Sequence, residues 1–162
     1  MDILDDTDVI FNCGDQVGYG PEPNLTVEKI IENEKIRSVM GNHDAALYKP
    51  EKRNYLNEIA LKAILYHRQT LTEKNLNHVQ GIQNIFLDHE FHGRKIRVCH
   101  DSPDHPGKDE YLREKAQFNR IFSWMENKEY DISVVGHTHR QMLVMQDSTG
   151  IEEIISFSDK SI

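Results

Sequence analysis

Residues 8–44 read DVIFNCGDQVGYGPEPNLTVEKIIENEKIRSVMGNHD. Asp8 to Cys13 is short, apolar and β-branched, and Gly14 ends it, which is the pattern of a buried strand. Gly18, Gly20, Pro21 and Pro23 make the next stretch a loop. Asn24 then stands where a helix N-cap belongs, ahead of an inner face made by Val27, Ile30 and Ile31. Ile36 to Met40 reads as a second strand, stopped by Gly41. Strand, helix and strand in this order predict a parallel pair joined by a helical crossover. Ligands usually bind past the carboxyl ends of such strands, where Gly14-Asp15 and Gly41-Asn42-His43-Asp44 stand.

The pattern extends outward from this unit. Leu56, Ile59, Ala60, Ala63, Ile64 and His67 recur at three- and four-residue spacing, so 56–70 is a helix with those residues inward. Within it His67 reads as a packed core residue. Thr72 can cap a further short helix carrying Leu76 and Val79. Ile82 to Leu87 and Lys95 to Cys99 form a hairpin around His92-Gly93. Phe118, Ile121, Phe122 and Met125 mark another helix face, and Ile132 to Val135 a buried strand ended by Gly136. Met142 to Met145 and Ile151 to Phe157 make a second hairpin, turned at Asp147-Ser148-Thr149-Gly150. Early strands alternate with helices and later strands pair as hairpins. The expectation is an α/β fold of two sheets, or one mixed sheet, with helices outside.

At 162 residues the chain is read as a single domain, 1–162. No apolar run approaches the roughly 20 residues of a membrane span, and the acidic start is no signal peptide, so the expected compartment is the cytoplasm. A net charge of −8 argues against a stable nucleic-acid complex, which needs clustered Lys and Arg. It leaves room for a phosphate-bearing substrate, because bound cations would supply local positive charge. Cys13 and Cys99 sit in apolar strands and read as buried free thiols.

Four motifs carry the chemistry: Gly14-Asp15-Gln16-Val17-Gly18-Tyr19-Gly20-Pro21, Gly41-Asn42-His43-Asp44, His100-Asp101-Ser102-Pro103 and Gly136-His137-Thr138-His139. Each puts an oxygen or imidazole donor at a strand end, an inventory suited to first-row divalent metals. In their order and spacing these motifs resemble the calcineurin-like metallophosphoesterases, in particular the small bacterial phosphodiesterase-type members. The resemblance implies a β-sandwich of two mixed sheets flanked by helices. It also implies metal-dependent hydrolysis of phosphomonoesters or phosphodiesters by a metal-activated water. Two divalent ions are expected, manganese first, with iron, zinc or nickel also compatible with the donors.

Asp15 can bridge two ions; Asn42 adds a neutral oxygen; His100 and His137 add imidazole nitrogens. The resemblance assigns these four to one metal and gives His139 to the other. His137 and His139 are two apart, so on an extended strand both would point the same way. His43 is expected to donate a proton to the leaving oxygen, with Asp44 holding its ring in the right tautomer. Tyr19 reads equally as a residue packing on substrate or as a buried turn residue. His78, His89 and His92 read as surface positions, and His105 as a loop residue beside the cleft.

The chain departs from the resembled pattern in one respect. Those proteins carry Asp-x-His on a first strand, and no Asp-x-His occurs in this sequence. The nearest pattern, Glu90-Phe91-His92, falls at a hairpin turn. The expectation is a domain truncated at the N-terminus and incomplete at the C-terminus, with weakened binding of the first metal and a tendency to self-associate through uncovered strand edges. The rival reading is a relative acting as a non-catalytic protein-binding scaffold. Partners on the first reading are phosphate-ester small molecules or nucleotides, with no membrane.

Overall fold

The computed structural model describes residues 7–147 and the backbone of 150–156. β1 (Ile10–Asn12) and β2 (Ile36–Ser38) pair in parallel, Ile10 opposite Ile36, with helix α1 (Pro23–Glu32) crossing between them. The helix begins two residues earlier than an Asn24 cap would place it. Pro23 occupies the first turn, where its fixed φ is preorganised, and Glu22 is the cap. The Asn24 side chain works elsewhere. Its Oδ1 accepts from the Thr72 amide and from Asn75 Nδ2, both at 2.9 Å, and its Nδ2 donates to Thr70 O at 2.9 Å.

Helix α2 (Asn42–Tyr48) follows β2, and a 3-10 turn over Pro50–Tyr55 leads to α3 (Glu58–Thr70) and α4 (Glu73–Gly81). Asn57 caps α3 by accepting from the Ala60 amide, and Thr72 caps α4 by accepting from Asn75, as its position predicts. Val17, Val27, Ala46, Leu47, Ile64, Leu71 and Val79 form the first core. The expected inner face of α3 loses one member. Ile59 is 72% exposed, and the face turns on Ala60, Ile64 and His67 instead.

β3 (Phe86–Phe91) and β4 (Arg94–Cys99) form the predicted hairpin, Phe91 opposite Arg94, turned at His92 and Gly93 with positive φ at both. β3 starts later than Ile82, which instead closes α4 by donating to Val79 O. Helix α5 (Lys115–Lys128) crosses over to β5 (Ile132–Val135), which pairs in parallel with β4. β6 (Met142–Asp147) and β7 (Gly150–Ser156) pair antiparallel; the expected turn residues 148–149, and Phe157, lie outside the described residues. Leu112, Phe118, Ile121 and Met125 form a second core under α5. The result is the expected mixed α/β fold, two crossover units whose sheets meet at their carboxyl ends. Among the described residues no helix is long and apolar enough to cross a membrane.

Those ends are stitched together. The Val39 amide donates to Asn12 O at 3.0 Å, the Gly136 amide to His100 O at 2.9 Å, and His100 Nδ1 to Cys13 O at 2.7 Å. Four separated stretches of sequence thereby reach one place.

Candidate active site

The first two motifs interlock through backbone. Gly41 lies so close to Asp15 that a Cβ on it would come within 2.0 Å of Asp15 Oδ1, so only glycine fits there. Asp15 Oδ1 accepts from the His43 amide at 2.9 Å. Asp44 is wholly buried at the third position of α2. It accepts from the amides of Asp15 (2.9 Å), Gly41 (3.0 Å) and Val17 (3.3 Å). This corrects the expectation that Asp44 orients the His43 ring. Adjacent helical residues project in different directions, and the Asp44 carboxylate is spent on loop amides.

The two neighbouring carboxyls are driven apart. Burial, then the Asp15 charge, push Asp44 up to about 7, against the pull of the Gly41 and Asp15 amides. Burial also acts to raise Asp15, but the hydrogen bond and charge of His100, aided by His43, hold it below the usual carboxylate range. Negative charge is thus concentrated on the carboxylate that faces the imidazoles.

His100 Nε2 is the centre of the cluster. It lies 3.0 Å from Asn42 Oδ1, 3.1 Å from His137 Nδ1 and 3.3 Å from Asp15 Oδ2. The other nitrogen of each imidazole is committed. His100 Nδ1 donates to Cys13 O, and His137 Nε2 donates to Asp109 O at 3.2 Å. In the neutral tautomers so fixed, both inward nitrogens carry lone pairs, and that of His100 meets a carboxylate and an amide oxygen. Four acceptors facing one another call for a cation, and edges of 3.0–3.3 Å are slightly shorter than the roughly 3.3–3.5 Å expected between donors around a tetrahedral ion. Among the described residues no three His, Cys, Asp or Glu side chains form a ready metal site by themselves. The donors that meet at His100 Nε2 include the Asn42 amide oxygen.

The remaining imidazoles sit apart from this cluster. His137 and His139 both have positive φ, so the strand geometry that would align them is broken. His137 turns inward and is buried. His139 is exposed, its ring 5.8 Å from Tyr19, though both line a cleft of about 380 Å³ with Asp15 and Arg140. His43 is buried under Tyr19, rings 5.0 Å apart, and its Nδ1 has no hydrogen-bond partner among the described residues. Burial lowers the basicity of His43, which Asp15 only partly restores. Tyr19 is 47% exposed, which excludes the buried-turn reading.

Two contributions lie outside the sequence motifs. Asp109 acts through its carbonyl, which leaves no side-chain signature in a sequence. Tyr111 stacks on His137 with centroids 4.1 Å apart and was not singled out by any periodicity.

The geometry meets known proteins at this point. An uncharacterized protein of Methanocaldococcus jannaschii is 32% identical over 130 residues, covering 80% of this chain and 50% of that protein. A hypothetical protein of Pyrococcus horikoshii shares the fold, with TM-score 0.71 at 18% identity over 90% of this chain and 62% of the other. A metallophosphoesterase from Sphaerobacter thermophilus aligns with TM-score 0.61 at 29% identity, covering 89% of this chain and 56% of that one. The chain therefore spans about half the length of the curated relative it matches. Residues 1–153 match the calcineurin-like phosphoesterase superfamily domain, and the chain belongs to that superfamily.

Proposed function

We propose that this chain is a metal-dependent phosphoesterase hydrolysing phosphomonoesters or phosphodiesters. One observation carries the reading. Two buried imidazoles turn one nitrogen each to the carbonyls of Cys13 and Asp109 and bring their other nitrogens within 3.1 Å of each other, where His100 Nε2 also meets Asp15 and Asn42. Asp15, Asn42, His100 and His137 would hold one divalent ion. Asp15 and His139 are the candidates left for a second. Two protein ligands seldom hold a catalytic ion, so the four-residue site is expected to bind more tightly.

Divalent cations bound there would supply charge to the phosphoryl oxygens and acidify nearby water. The protein's own part is to position and to move a proton. Asp15 keeps its charge and holds α2 through the His43 amide. His43 stands at the start of α2 to protonate the leaving oxygen. Its burial lowers its basicity, and the negative charge of a bound ester would raise it again. Cys13 and Asp109 carbonyls keep the two imidazoles in one tautomer.

The test is calorimetry with Mn²⁺, Fe²⁺, Zn²⁺ and Ni²⁺, followed by hydrolysis of p-nitrophenyl phosphate and bis-p-nitrophenyl phosphate. Binding of at least one ion with metal-dependent turnover is the expected result. Silence with every metal would end this reading in favour of a protein-binding scaffold.

A further inference from the structure

We infer that His67, a helix residue remote from the four motifs, is a positioning residue for His43, acting through the 18–20 loop. The inference rests on the reading of His43 as proton donor.

His67 lies on the inner face of α3 and is 1% exposed. Both of its ring nitrogens are used on one three-residue segment. The Gly18 amide donates to Nδ1 at 3.1 Å, and Nε2 faces Gly20 O at 2.9 Å. An amide can only donate and a carbonyl can only accept, so Nδ1 is bare and Nε2 carries the proton. The ring is therefore a neutral clamp of defined tautomer across residues 18–20. Any buried histidine must satisfy its ring nitrogens, but here both bonds go to one segment, the loop that packs on His43.

What the clamp holds is the floor and lid of His43. Gly18 has φ +120°, and a Cβ on it would fall 1.9 Å from His43 Nδ1. Tyr19, the next residue, lays its ring 5.0 Å from that of His43. His43 Nδ1 is buried without a hydrogen-bond partner among the described residues, so no bond at that nitrogen fixes the ring. Gly18 and Tyr19 pack directly on that ring and constrain its direction. His67 does not touch His43; it sets the height of the loop that does. Errors of about 1 Å in a proton donor's placement cost large factors in rate.

The consequence is specific. A misplaced proton donor hurts esters with poor leaving groups and spares those that leave unaided. His67→Leu keeps the core filled and removes both bonds; His67→Gln keeps one acceptor and one donor. Each variant is compared with the unaltered protein by thermal melting, Mn²⁺ calorimetry, and kcat on phenyl phosphate and p-nitrophenyl phosphate. For His67→Leu we expect a folded protein with unchanged Mn²⁺ affinity, a fall of about tenfold to a hundredfold on phenyl phosphate, and less than about threefold on p-nitrophenyl phosphate. His67→Gln should restore most of the difference. Equal losses on the two esters, or no loss in His67→Leu, would overturn the assignment.

Should the unaltered protein turn over neither ester, the proposed function fails first. The clamp is then judged by hydrogen exchange. Loss of protection at the Gly18 amide in His67→Leu, with His43 ring resonances shifted and other core amides unchanged, supports it. Uniform loss across the core, or none, refutes it.

Discussion

Gly18 shows how much of the site is decided by the absence of a side chain. Its φ of +120° is unfavourable for any L side chain, and His43 Nδ1 occupies the place of a Cβ. Gly18→Ala must therefore shift the loop, displace His43, or both. We expect a loss of about 2–3 kcal/mol in urea unfolding, because strain and steric overlap add. Metal affinity should be nearly unchanged, since Gly18 is not among the residues that meet at His100. Asp44 is the complementary case, a side chain whose work is on backbone. Asp44→Asn replaces an acceptor with an NH₂ group that faces amide donors at Asp15, Gly41 or Val17. A destabilisation of about 2–4 kcal/mol is expected by the same measurement. Variants at either position that unfold at the original urea midpoint would show that the loops are held by something else.

At the scale of elements, the segment between β4 and α5 links the second crossover to the site. Asp101 accepts from the Gly107 and Asp109 amides at 2.9 and 2.6 Å, and the Asp109 carbonyl orients His137. Asp104, its side chain 2% exposed, accepts from Ser102 and from Arg120 Nε at 2.6 Å, and Arg120 also reaches Glu110 at 2.6 Å. Burial would raise the Asp104 carboxyl, but the Ser102 and Arg120 hydrogen bonds and the Arg120 charge hold it below its ordinary value. A depressed acid adds stability above its unfolded value, and that stability is lost as pH falls through the folded value. Asp104→Asn should therefore lower stability by about 1–2 kcal/mol at pH 7, the exposed side of Arg120 limiting the effect, and the gap should narrow only as pH falls below the ordinary aspartate value of about 4. Melting curves at pH 7 and at about pH 2 check it; a gap that persists unchanged in acid would assign the loss to packing.

The same scale explains what was legible. The crossover unit of 8–44 could be read because strand, helix and strand differ in period and are punctuated by Gly14 and Gly41. Thr72 was found as a cap because nothing competed for it, whereas Pro23 started its helix before Asn24 could. Ile59 was misplaced because α3 packs through a narrow stripe, and apolar spacing alone gives no stripe width. The site residues were legible as donors, but not their assignments. The Asp44 bonds to the Asp15 and Val17 amides and the Asp109 carbonyl bond to His137 join positions 27 to 29 apart, which no local pattern encodes.

For the whole molecule, the decisive fact is that the four inward donors come from positions 15, 42, 100 and 137, one from each of four chain segments. A cation held by all four would tie both crossover units together in the folded state and have no such site in the unfolded one. Mn²⁺ should then raise the melting temperature by mass action, about 2.7 kcal/mol at a hundredfold excess over Kd, and a chelator should reverse it. His137→Ala and Asn42→Ala should abolish the shift while leaving the metal-free melting temperature within a few degrees. Acid should weaken binding, because protons compete for the same lone pairs. His100 is the first to be taken. Burial opposes its protonation, but the hydrogen bond and charge of Asp15 raise it above the ordinary histidine value, while burial and the His100 charge lower His137. Competition should therefore begin above the usual histidine range and deepen as His137 follows at lower pH. Calorimetry at pH 8 and pH 5.5 should show at least a tenfold weaker affinity at the lower pH. An affinity that stays flat across that interval would place the cation on carboxylates alone and take His100 and His137 out of its coordination.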